Sequence, residues 1–367
     1  MLYDVAGLIL ADDRHVHLSE LTRHRAFAAV PFAGRYRLID FPLSNMVNSG
    51  MTRVGVATSY KYKSLMDHLG TGSNWDLDRR NQGLHILPPY LAAENYYDQG
   101  DDLRGVLDFL EGTSNEYVLV SEAKNVFSTT FEGLYKFHGD KEADITILYN
   151  HDLPEDGYNI VLKLEEDGKV EEVLVNPPKD DIITNSLGVV LLKRELLIDI
   201  VSEAVSRGLP TLTIELVLKR IEGLKVYGYE YHEDALRVNS IDSYFSASME
   251  LFDPEVNESI FWQVKPIYTK VKDEAPGYIS ADSVVENSLV SDGCEIYGNV
   301  KDTILFRSTS VGENSEIDRS IIGQGSVIGK NVKLTNVIVD KDCVISDGTE
   351  LQGDPEYPVL IGKGAVI

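Results

Sequence analysis

Up to about residue 250, short apolar runs alternate with amphipathic stretches. Val5–Leu10, Arg53–Thr58, Tyr117–Ser121, Asp144–Tyr149, Asn159–Leu164, Ser186–Leu192 and Lys225–Tyr231 read as buried strands. Asp40–Ser49, Tyr62–Leu69, Asp101–Glu111, Phe131–Gly139, Leu196–Arg207, Thr211–Glu222 and Ser240–Leu251 space their apolar residues as helices do. Strand-helix alternation predicts an α/β layered domain with a mainly parallel sheet. Ligands of such sheets sit at the carboxyl ends of the strands, so chemistry is expected after Leu10, Ser121 and Leu192.

After Leu251 the pattern changes. The stretch from Phe252 to Ser280 has scattered prolines and no period, and reads as a linker. A six-residue beat then sets in. Val311-Gly312, Ile317-Asp318, Ile322-Gly323, Ile328-Gly329, Leu334-Thr335, Val339-Asp340, Ile345-Ser346, Leu351 and Ile361-Gly362 carry it, with five-residue intervals at 317–322 and 334–339. One aliphatic per hexapeptide suits a parallel β-helix, in which each hexapeptide makes one side and sends its aliphatic into a stacked core. A β-sandwich would need strict alternation and turns every 8–12 residues, as a general rule. The expected division is 1–250 for the α/β domain, 251–278 for the linker and 279–367 for the β-helix.

Composition narrows the function. The chain has 367 residues and a net charge of −25, with a sequence pI of about 4.6. Such a surface repels nucleic-acid phosphate and anionic membranes, so neither is an expected partner. A local cluster of Arg and Lys can still hold a small phosphate. The two cysteines, Cys294 and Cys343, match no disulfide framework or zinc pattern. The first apolar run is short and lacks a basic start, and no apolar stretch approaches membrane-spanning length. A soluble, cytoplasmic protein is expected.

The segments "VPFAGRYRLIDFPLSNMVNSG" (Val30–Gly50) and "NWDLDRRNQGLHILPPY" (Asn74–Tyr90), with the closing hexapeptides, resemble glucose-1-phosphate adenylyltransferase, or ADP-glucose pyrophosphorylase. The resemblance spans nearly the whole chain in the right order. It implies a Rossmann-like (GT-A-like) nucleotidyltransferase domain followed by a left-handed β-helix. It also implies a reaction joining ATP and glucose 1-phosphate to give ADP-glucose and pyrophosphate. That chemistry requires a glycine-rich phosphate loop, cations around the phosphates and Mg²⁺ held by carboxylates.

The residues of that machinery are replaced here. The family loop resembles GGxGxRLxxLT. This chain reads Asp12, Asp13, Arg14, His15, Val16, His17, Leu18, Ser19, Glu20, Leu21, Thr22 in the same frame, with no glycine. Two carboxylates repel triphosphate: like charges ~4 Å apart cost about 4 kcal/mol at an effective dielectric of 20. Phe27 stands at the lysine of KPAVP. Ala123 and Arg237 stand at the two metal aspartates, Val175-Asn176-Pro177 at EKP, and the GTADA-like loop is altered around Gly100-Asp101-Asp102. Ser186-Leu187-Gly188 keeps the SMG-like pattern of a substrate pocket. Glu122 or Asp234 is the neighbouring acid that a working enzyme would need as a substitute metal ligand, and Lys124 is a cation placed where a metal carboxylate is expected.

A chain that keeps its strands and hexapeptides but replaces its catalytic parts resembles the regulatory, GlgD-type subunits of the family. These pair with a catalytic subunit in a heterotetramer and tune its activity. The resemblance therefore implies no cofactor bound by this subunit, Mg²⁺ on the catalytic partner, and an anionic sugar-phosphate effector held between the domains. By the same resemblance Arg25, Arg37, Arg307 and Lys341 are the effector-binding candidates, and the arginines suit the task because the guanidinium fork pairs bidentately with phosphate oxygens. Two other readings remain: an active adenylyltransferase with substitute ligands, and a stand-alone sugar-phosphate sensor. A hexapeptide acyltransferase would need a histidine base. All eight histidines precede the repeat, which sets that reading aside.

Overall fold

In the computed structural model, the described residues are 1–11, 16, 18–58, 61–80, 82–88, 103–151, 158–178, 184–209, 211–219, 221–262 and 264–367. Six of the seven predicted strands, together with Gly83–Leu87, form one seven-stranded sheet. Its order is Val226–Glu230, Ile145–Asn150, Asn185–Lys193, Tyr117–Glu122, Val5–Leu10, Arg53–Ala57 and Gly83–Leu87. Asn185–Lys193 runs antiparallel to both neighbours and the rest are mutually parallel. Ile160–Leu164 does not join this sheet. It forms a separate antiparallel ribbon with Val170–Val175, in which Asn176 takes a positive φ and its side-chain oxygen accepts the Asn159 N–H at 2.8 Å. The edge strand Gly83–Leu87 escapes the sequence pattern because its residues are only half-buried and do not form an apolar run.

Helices cover both faces of the sheet and divide its core into two apolar clusters. Asp40–Asn48, Lys63–Leu69, Glu132–Asp140, Arg194–Ser206 and Ile241–Glu250 lie within two residues of expectation at each end. Leu103–Glu111 is the described part of the helix expected from Asp101. The helix expected over Thr211–Glu222 is shorter, Ile214–Leu218, and starts where the Thr213 hydroxyl accepts the Leu216 N–H at 3.1 Å.

Within the stretch read as a linker, Pro254–Phe261 is a helix. Asp253 caps it by accepting the Glu255 N–H at 2.9 Å, and proline occupies the first turn. That Asp-Pro start is a helix signal which the scattered prolines obscured. Ile260 and Phe261 bury its inner face against the α/β core.

The hexapeptides build three five-stranded parallel stacks, the arrangement of a left-handed hexapeptide β-helix. Val311, Ile328 and Ile345 align in one stack, Ile317, Leu334 and Leu351 in the second, and Ile322, Val339 and Ile361 in the third. Most of these aliphatics are fully buried, each contributing about 1.5–3 kcal/mol. In the middle of the repeat the coil is 17 residues long, as where the Val337 N–H donates to Ser320 Oγ, whereas Ile296 and Val311 pair 15 residues apart and Val339 and Ile361 pair 22 apart. The two five-residue intervals are therefore the short corner of each coil. Corner residues Asn314, Arg319, Asn331, Asn336 and Asp342 take positive φ, a conformation that Asn and Asp tolerate best among non-glycine residues.

In the third stack the residues beside the inward aliphatics are also apolar. Ile304, Ile321 and Ile338 point outward and join the core of the α/β domain. The two domains thus share one continuous apolar cluster, and paired aliphatics such as Ile321-Ile322 mark the docking face.

Candidate functional site

Two regions bear on function. The first is the carboxyl end of Tyr117–Glu122, where the parent chemistry would hold its metal. Asp12, Asp13 and His17 of the loop after Val5–Leu10 lie outside the described residues, as do Gly100, Asp101 and Asp102. Ala123 is buried and has no donor. Arg237 pairs in register with Asn125, and its Nη2 donates to the Tyr158 carbonyl at 2.6 Å. Glu122 does not stand open as a substitute ligand: its Oε2 pairs with Lys124 Nζ at 2.9 Å, and both side chains are buried. Lys124 also lies 5.5 Å from the centre of the Tyr158 ring. Phe27 packs into the core in place of a phosphate-facing lysine.

Ser186-Leu187-Gly188 forms an irregularity in the antiparallel strand, where the register shifts between Ser186 and Val189. Gly188 has φ +68°, its N–H donates to Ser186 Oγ at 3.2 Å, and a side chain there would run into Glu122. The Leu187 carbonyl accepts from Asn125 Nδ2 at 2.8 Å. Several polar groups of this strand end are thus bonded to one another. The Lys124 ammonium and the Arg237 guanidinium do not fit a divalent cation at this strand end. Among the described residues no group of three or more His, Cys, Asp or Glu could hold one.

The second region is a cleft of about 180 Å³ between the domains. Arg35 and Arg37 come from the segment before helix Asp40–Asn48, Lys270 and Lys272 from the crossing segment, and Arg307 and Lys341 from the β-helix. Asp67 is the acid on its wall. The β-helix contributes a column: Arg307, Gln324 and Lys341 occupy one position on successive coils, as the bonds Gly325 N to Arg307 O and Asp342 N to Gln324 O show. Lys341 Nζ donates to Gln324 Oε1 at 3.2 Å.

Burial first, and crowding of cations second, lower the basicity of these groups. Burial, reinforced by Arg37, Arg25 and Lys272, pushes the Lys341 ammonium down to about 7. Burial lowers Arg37 to about 10, with Asp40 opposing. Burial and the neighbouring Arg35 push Arg307 down, and burial with Arg307 does the same to Lys272. Arg307 is only 6% exposed and its Nε has no protein partner. An anion that accepted from these groups would relieve both the repulsion and the unmet donor.

Beneath the cleft the framework is fixed by hydrogen bonds. Arg37 donates from Nη1 to the Ser64 carbonyl at 2.6 Å, and its backbone N–H donates to Asp40 Oδ2 at 3.0 Å. The other Asp40 oxygen lies 2.6 Å from His68 Nε2. Burial pushes His68 down despite this carboxylate.

Of the four effector candidates, Arg37, Arg307 and Lys341 line this one cleft. Arg25 does not line it. Its guanidinium makes a bidentate pair with Asp340 at 2.9 and 2.8 Å, and both side chains are almost wholly buried. Arg25 thus joins the segment after the degenerate loop to the β-helix, one residue from Lys341.

Sequence reading missed Lys270, Lys272 and Asp340. The signal for the lysines was their spacing: two positions apart in extended chain puts them on one side. Asp76 holds its own loop through an ion pair with Arg79 and by accepting Arg79 Nε at its carbonyl, 2.9 Å. Among the described residues no helix is long and apolar enough to cross a membrane.

A parallel-sheet α/β domain with a ligand end on strand Tyr117–Glu122, fused to a hexapeptide β-helix, defines the class: a nucleotidyl transferase with a C-terminal hexapeptide domain. The family model described as nucleotidyl transferase matches residues 6–252, and that of the GlmU-like C-terminal hexapeptide matches 276–358. The glycogen biosynthesis protein GlgD of Bacillus subtilis (strain 168) is 36% identical over 353 residues, covering 95% of this chain and 93% of that protein. The glucose-1-phosphate adenylyltransferases of Bacillus mycoides (strain KBAB4) and Bacillus anthracis are 32% and 31% identical, each over 98% of both chains. The chain belongs to the nucleotidyl transferase family, within the group that GlgD and the glucose-1-phosphate adenylyltransferases form.

Proposed function

We propose that the chain is a regulatory, catalytically impaired subunit of ADP-glucose pyrophosphorylase that acts in glycogen biosynthesis by tuning a catalytic subunit. The observation that carries this reading is the strand end, where Ala123 and Arg237 replace the metal aspartates and Glu122 is tied to Lys124. The similarity to GlgD supports it. In this reading the subunit binds no metal of its own, and Mg²⁺ serves the catalytic partner in a hetero-oligomer, a heterotetramer by family resemblance. The cationic cleft takes an anionic sugar-phosphate effector, and binding there shifts the assembly towards one of two states that hold the anion unequally.

The test is an assay of the purified chain with Mg²⁺, ATP and glucose 1-phosphate, first alone and then with the catalytic subunit. The expected result is background turnover alone and altered kinetics of the partner when mixed. Turnover at an ordinary enzymatic rate by the chain alone would overturn the proposal in favour of an active adenylyltransferase.

A further inference from the structure

Where helix Pro254–Phe261 meets the first coil of the β-helix, the surface holds a two-lobed groove. One lobe, of about 670 Å³, lies between Phe252, Pro254 and Leu289. The other, of about 380 Å³, lies between Phe261, Ile267 and Val290. Trp262 and Leu289 wall both lobes. The chain has two tryptophans. Trp75 is 1% exposed in the core, whereas Trp262 is 77% exposed at the centre of this groove. The groove floor is also a sheet edge: among the described residues, Leu289–Val290 is the first strand of its stack and pairs with Ile304–Leu305 alone. An exposed tryptophan between apolar hollows, beside an open strand edge, is the composition of a protein-binding hot spot.

The rim selects the occupant. Glu258 and Asp292 line the lobes, Asp253, Glu255 and Glu286 are exposed on the same helix and first coils, and Arg35 is the cation on the lining, so acids outnumber it. Two such rims would face like charge on like charge, and the chain as a whole carries −25, so a second copy is disfavoured. The matching surface is an apolar anchor flanked by lysine or arginine.

We infer that this groove docks the catalytic subunit, which inserts an apolar segment flanked by basic residues around Trp262. The inference rests on the heteromeric reading above and adds the surface that makes the contact.

The experiment measures affinity for the catalytic subunit by analytical ultracentrifugation, over a range of salt, for the wild type, Trp262→Glu, and the double variant Glu258→Lys with Glu286→Lys. Thermal melts verify folding, which these exposed positions leave intact. Trp262→Glu is expected to weaken association by about 30-fold or more, the loss typical of a hot-spot side chain. The double variant is expected to weaken association at low salt and flatten its salt dependence. Both variants binding as the wild type does, while the wild type binds, would overturn the groove assignment and leave the heteromeric reading standing. A wild type with no affinity for the catalytic subunit would overturn both. Trp262-dependent self-association of the chain alone would overturn the choice of occupant.

Discussion

The strand end and the interdomain cleft both carry buried cations, and they treat them in opposite ways. At the strand end, Lys124 has Glu122 and Arg237 has the Tyr158 carbonyl, so the charges are answered from within the protein. In the cleft, six basic side chains share a wall with Asp67, and Lys341 and Arg37 lose basicity through burial, with neighbouring cations adding to the effect. The difference separates two meanings of a buried charge. One that has a protein partner holds structure, whereas a crowd of like charges asks for a ligand. In the proposed reading the strand end serves as framework, and the domain junction takes the ligand.

The largest effect should come from breaking the pair that joins the two regions. Arg25→Ala leaves Asp340 charged and buried, and should lower unfolding stability by about 3–5 kcal/mol in denaturant titrations. Arg25→Met combined with Asp340→Leu should recover most of that loss. If the double variant is no better than the single, the pair does more than satisfy its own charges. Lys124→Ala should cost about 3 kcal/mol for the same reason, with Glu122 stranded. An unchanged melting curve would show that the strand end is not self-neutralised. In the cleft, Arg37→Ala should weaken sulfate or sugar-phosphate binding about tenfold in calorimetry, the loss of one or two charge-assisted bonds. Equal binding would move the anion elsewhere.

The smallest effect is a pH dependence. Folded Lys341 releases its proton near pH 7, while the unfolded chain keeps it to about 10.5. Between these values the unfolded state binds more protons, so this lysine's contribution to stability rises with pH. Lys341→Met should therefore be the more stable chain at pH 7, with the gap closing towards pH 10 in parallel melts. Sulfate, whose charge is constant over this range, should bind more weakly to the wild type from pH 6 to 8.5. Its affinity for Lys341→Met should stay flat.

Much of the fold was legible because its periods are physical. The buried strands are apolar runs, and the hexapeptide aliphatics are the buried residues of the coils. Helix Pro254–Phe261 was missed because its amphipathic run is brief and lies among prolines, although Asp253-Pro254 announces its start. The strand-end losses could be read from Ala123, Arg237 and Phe27, since each substitution removes a charge or inverts it. What could not be read was pairing over distance. Arg25 and Asp340 are 315 residues apart, and nothing local in either marks the other. Lys270 and Lys272 join Arg307 only through the way the crossing segment folds back.

The column of Arg307, Gln324 and Lys341 has one more consequence. Coils stack at the strand spacing of about 4.8 Å, so each rung can change its side chain while the others keep their height. A substitution at Gln324 would set a charge of either sign at the middle of the cleft at a fixed height, while ending the bond that its amide oxygen accepts from Lys341 Nζ. The β-helix thus acts as a keyboard on which a lineage can retune what the junction responds to, one key at a time, leaving the core of the coil untouched.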